Sequence, residues 1–158
     1  MFKKLLNKKL LKNQKGLTIV ELLAVIVILA IIAAIAIPAI GNIIENSRYN
    51  AVKADAINVL NAAQLYYTDN PNGESDVSGT DSKVTVKQLE DAKYLESAGK
   101  IPPEAYVSID NPKKLNTSTI TFSGSKSVSF KDATIKIIND DTQKGSKIDS
   151  THTVKPGK

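Results

Sequence analysis

The 158-residue chain has no cysteine, no tryptophan and a single histidine, His152. Without cysteine there is no disulfide framework, and one histidine cannot build a Cys/His metal constellation, so no cofactor or metal is expected. Serine and aspartate are plentiful, yet no base stands at a recognisable spacing from them and no Gly-rich phosphate loop occurs. No catalytic residue is assigned, and the chain does not read as an enzyme. His152 lies in a polar C-terminal stretch, where an exposed bystander is the plain expectation.

The net charge of +5 invites a nucleic-acid or anionic-surface reading, but its distribution argues otherwise. The first sixteen residues carry six lysines (Lys3, Lys4, Lys8, Lys9, Lys12 and Lys15) and no acid; the rest has 15 basic and 16 acidic groups, a net of −1. Leu17 to Asp110 holds 6 basic and 12 acidic groups, a net of −6, and Asn111 to Lys158 holds 9 and 4, a net of +5. Opposite signs in successive halves could draw subunits together, or turn a basic face that includes Lys113 and Lys114 outward. Only Phe122 and Phe130 are available there for stacking, and both are expected in the core, which disfavours nucleic acid as a partner of this subunit.

What the chain does have is one long apolar run. Leu22 to Gly41 is twenty consecutive residues without a charge; as a helix it spans roughly 30 Å, the thickness of a bilayer core. The lysine-rich start before it places the N-terminus in the cytoplasm. A secretory signal would have a shorter apolar region, although Ala34-Ile35-Ala36 fits a small-x-small cleavage site. A plain membrane anchor explains the length but not Glu21, an ionisable group among the first apolar residues.

The string Lys15-Gly16-Leu17-Thr18-Ile19-Val20-Glu21-Leu22-Leu23, followed by an Ile/Ala/Val run that contains Pro38, resembles the N-terminus of type IV pilins and of the pseudopilins of type II secretion and competence systems. Leu17 stands where Phe is commonest, and Ala30 where many members have a helix-weakening Gly. The resemblance implies cleavage between Gly16 and Leu17 by a prepilin peptidase and methylation of the new Leu17 amine. It also implies that Glu21 meets the Leu17 amine of a neighbouring subunit and sets the axial register. Glu21 lies at i+4 from Leu17, so a pair within one subunit, or a protonated Glu21 at an interface, are the alternatives.

Past the membrane, Val52, Ala56, Val59 or Leu60, Ala63 and Tyr67 keep a three-to-four spacing. One helix from Leu17 to Thr68, 52 residues and roughly 78 Å, is expected, with a bend at Pro38 and Gly41. Asp69 to Asp76 reads as a solvated turn. Val84 to Leu95 reads as a short helix with Thr85 as N-cap and Gly99 as a stop. Ser118–Phe122, Ser127–Phe130 and Ala133–Ile138 alternate and read as strands of an antiparallel meander.

The expected fold is α+β: a long N-terminal helix, half transmembrane and half amphipathic, packed on a small antiparallel sheet, as in type IV pilins. The expected divisions are a basic leader 1–16, a membrane or filament-core helix 17–41, a head 42–139 and a flexible polar tail 140–158. The resemblance implies a subunit that waits in the cytoplasmic membrane and is then polymerised into an extracellular filament. Its partners would be other copies, minor pilins, the peptidase, an assembly ATPase and a membrane platform protein. A pseudopilin of a secretion or DNA-uptake apparatus, and an anchored surface binding module that never polymerises, are the alternatives. The lack of cysteine and the head pattern lean towards a Gram-positive source.

Overall fold

The computed structural model describes residues 2–71 and 83–157, with side chains from Ile19 onwards. The side chains before Ile19, that of Leu17 among them, and most of the turn expected over Asp69 to Asp76 therefore lie outside the described residues. Two compact units divide the chain, Met1–Gly41 and Asn42–Lys158, and helix α1 (Phe2–Asp69) supplies residues to both.

In the first unit α1 runs through Pro38 and Gly41 as helix. Proline removes only its own bond, to the Ala34 carbonyl, while the ladder on either side persists.

In the second unit α1 carries the core stripe. Tyr49, Val52, Ala56, Val59, Leu60 and Ala63 are all at most 1 % exposed, and Tyr66 and Tyr67 extend the row. The expected spacing is therefore the buried face, with Tyr49 added at its start. Each Val or Leu so buried contributes roughly 1.5–3 kcal/mol.

Two three-stranded sheets share this core with α1. The first is antiparallel, β1 (Lys83–Thr85), β2 (Tyr106–Ser108) and β3 (Lys114–Asn116), with the buried residues Val84, Val107 and Leu115 in register. The second joins β4 (Ile120–Ser123) and β5 (Lys126–Phe130) in a hairpin turned at Gly124, φ +54°, and adds β6 (Thr151–Val154) parallel to β5. The sheets meet where Leu115 and Ala133 exchange backbone bonds of 2.9 and 3.1 Å. The α+β class is thus as expected, whereas the single antiparallel meander is replaced by two sheets, one of them mixed.

Helix α2 (Val86–Asp91) starts where the sequence indicated. Thr85 caps it, accepting from Gln88 N at 3.2 Å while Gln88 Oε1 accepts from Thr85 N at 2.8 Å. It stops earlier than expected: Lys93 at φ 65° turns the chain before Gly99, which is also left-handed at φ 59°, is reached.

Two further expectations are corrected. Ala133–Ile138 is not a strand, since Ile135–Asp140 forms helix α3. Ala133 is used up in the bridge to Leu115, and Thr134 turns its side chain to accept from Ile137 N at 3.3 Å. A capping hydroxyl here outweighs the strand preference of the β-branched residues.

The second concerns residues 140–158, expected as a flexible tail. They include a 3-10 turn (Gly145–Lys147) and β6, and they bury Ile148 and Val154. Backbone bonds from Ser127 N to Ser150 O, 2.7 Å, and from Lys131 N to Val154 O, 3.0 Å, tie this segment to β5 and the residue after it.

Candidate functional site

Among the described residues, the apolar stretch of α1 before the head buries none of its large side chains. All sixteen large apolar side chains from Ile19 to Ile44 are between 45 % and 71 % exposed, and the most apolar window of α1 has none of its residues buried. Covering sixteen such side chains is worth on the order of 20 kcal/mol, more than the whole folding stability of a typical domain. A surface of that cost in water has to be covered by lipid or by other helices. Glu21 is exposed within this band and makes no hydrogen bond or ion pair with another described residue.

The second unit concentrates its buried polar chemistry at one place, around Asp141. The hydroxyl of Tyr49, itself fully buried, donates to Asp141 Oδ2. Lys53 Nζ donates to the Asp141 carbonyl at 2.6 Å and lies 3.4 Å from Oδ2, and His152 Nε2 is 3.0 Å from Oδ1. Burial works to raise the Asp141 carboxyl, but the bonds from Tyr49 and His152 and the charge of Lys53 outweigh it and hold it below its usual range. Burial, and after it the bond to Asp141, push the Tyr49 phenol up. On the far side of the core, burial first of all lifts the Tyr67 phenol to about 12, and its hydroxyl donates to the Val107 carbonyl at 2.9 Å.

This arrangement is a fastener: it joins α1, the end of α3 and β6. His152 is therefore not the exposed bystander expected of it. No sequence signal marked Asp141 or Tyr49, because α1 is distant in the chain from α3 and β6. The cations expected on an outward basic face are engaged locally: Lys114 pairs with Asp110 at 3.0 Å, and Lys113 donates to the Ile109 carbonyl at 2.6 Å beneath the Tyr67 ring. Phe122 and Phe130 are in the core, as expected. Among the described residues no three His, Cys, Asp or Glu side chains come together as a metal site.

Residues 11–37 match the prokaryotic N-terminal methylation motif. The matched stretch contains Gly16, Leu17 and Glu21 and ends one residue before Pro38. This motif and the long apolar helix support a prepilin of the type IV pilin-like kind. Such a motif implies processing by a peptidase and polymerisation in general, and the apolar helix indicates a membrane anchor. No curated protein and no solved structure matches the chain. The match carries no support for a Gram-positive source.

Proposed function

We propose that this chain is the structural subunit of an extracellular type IV pilus. It is inserted in the cytoplasmic membrane with its N-terminus inside, cut between Gly16 and Leu17, and methylated on the Leu17 amine. An ATPase-driven assembly machine with a platform protein then moves its apolar helix from lipid into a filament core made of the same helix from other copies. Glu21 neutralises the Leu17 amine of a neighbour there, which fixes the axial register in a region with little water. The protein performs no chemical step of its own.

The observation that carries this reading is the uncovered apolar stretch from Ile19 to Ile44, joined to a head with a separate, complete core. Either lipid or neighbouring helices satisfy that stretch, so one chain can pass from membrane to filament. Electron microscopy of sheared surface material is the test. Long filaments containing this chain are expected; short filaments seen only on overexpression would favour a pseudopilin, and a chain found solely as a membrane-held monomer would contradict polymerisation.

A further inference from the structure

The head folds a set of cations onto its first helical turn. Glu45 to Tyr49 follow Ile44, the last of the exposed large apolar residues of the N-terminal stretch. Against this turn packs the segment around Gly145. A Cβ on Gly145 would lie 2.5 Å from the Glu45 carbonyl oxygen and 2.7 Å from Tyr49 Cβ, and Ser146 N donates to Asn46 Oδ1 at 2.9 Å. Lys144 and Lys147 are thereby carried to the turn that bears Arg48. All three are exposed, and none is in an ion pair with a described residue. The acid of that turn, Glu45, is paired with Lys126 at 2.8 Å, and Lys126 also donates to the Ser146 carbonyl at 3.1 Å. Asp149 is the exposed acid nearest in sequence.

We propose that Arg48, Lys144 and Lys147, with the Lys126–Glu45 pair behind them, form a basic collar that binds the anionic phosphate headgroups of the membrane. The inference rests on the reading that the preceding apolar stretch is membrane-inserted. Arg48 comes four residues after Ile44, roughly 6 Å of helix rise and within a Debye length of about 8 Å. Each basic group that close to an anionic surface strengthens attachment by about fivefold.

The timing also fits. Basic residues close in sequence to a translocated segment end oppose export, and only Arg48 and Lys53 are so placed. Lys144 and Lys147 arrive by folding after the chain has crossed, so they do not compete with the six leader lysines that set its orientation. A collar of this kind holds the waiting subunit to the bilayer surface and is given up when the subunit leaves it.

The test uses the full chain in lipid nanodiscs of phosphatidylcholine alone or mixed with phosphatidylglycerol. Amine-reactive labelling of Lys144 and Lys147 is read by peptide mass spectrometry, with exposed Lys93 as reference. The collar predicts labelling about fivefold slower in the anionic discs, restored by high salt, with Lys93 unchanged. The R48Q/K144Q variant should remain in both discs, with the slowing of Lys147 labelling by anionic lipid reduced. Equal labelling in the two discs would overturn the collar. So would protection by inorganic phosphate in phosphatidylcholine discs, which would indicate a general anion site. A chain that enters neither disc would remove the membrane reading along with it.

Discussion

Tyr49 and Asp141 are 92 residues apart, and the hydroxyl of one donates to the carboxylate of the other across the base of the head. Tyr49 also stacks at a tilt on Phe122, ring centroids 5.4 Å apart, and meets the edge of His152. One side chain thus joins α1 to both ends of the second sheet. Tyr49→Phe keeps the ring and removes only the donor. A bond to a charged acceptor of this kind is worth about 1.5–3 kcal/mol, and urea unfolding of the full chain in detergent should show a loss of that size. An unchanged midpoint would mean that Asp141 is satisfied without Tyr49.

The same carboxylate sets an acid limit. Its folded value lies below the ordinary 3.8, so its contribution is complete above the unfolded value and is lost as pH falls through it towards the lower folded value. Tyr67 acts at the other end. Raised to about 12 from 10.0, it contributes fully below pH 10 and loses that contribution as pH rises through the folded value. Melting temperatures of the full chain across pH should fall in both windows. Asp141→Asn should flatten the acid limb and Tyr67→Phe the alkaline one; limbs unaltered by these changes would assign the pH dependence to other groups.

Gly145 tests whether the C-terminal segment is docked. A Cβ would meet backbone and the root of Tyr49, neither of which can swing aside, and overpacking of this kind costs about 1–3 kcal/mol. Gly145→Ala should expose the segment after Asp141 to limited proteolysis well before the remainder of the head. At Gly124, where nothing lies within 4 Å of an added Cβ, the strain would come from φ +54° alone and stay local to the hairpin. Cleavage of the C-terminal segment at the same rate in wild type and Gly145→Ala would mean that it is loose after all.

Glu21 is the residue on which the assembly reading turns. Glu21→Ala removes a costly charge from the apolar stretch and should leave membrane insertion and cleavage intact. Filament length and abundance should drop sharply, as seen by electron microscopy and by immunoblot of the sheared fraction. Filaments of normal length and number from processed Glu21→Ala subunits would refute a register role.

The parts of this fold that were legible in the sequence are those where one signal repeats or one side chain acts on its own neighbours. The apolar run repeats its signal over twenty residues, the stripe from Val52 to Tyr67 repeats at the helical period, and Thr85 caps a helix three residues away from its partner Gln88. Strands β1, β2 and β3 were hidden because each has three residues and one buried centre, too short for an alternation to register. β6 reads Thr-His-Thr-Val, polar except for its last residue, and becomes a strand only because β5 offers it an edge. α3 looked like a strand until tertiary pairing took Ala133 and freed Thr134 to cap. The Asp141 fastener has no local signature at all. The methylation motif matched over residues 11–37, by contrast, is contiguous and so legible in the sequence.

The most direct test of the central claim is the intact mass and N-terminal residue of the protein taken from native membranes or sheared surface material. The account predicts a chain that starts at Leu17 and carries one methyl group on its amine. A chain starting at Met1 would leave an uncleaved anchor, and one starting at Ile37 would indicate a secreted domain; either result would contradict assembly through the N-terminal helix.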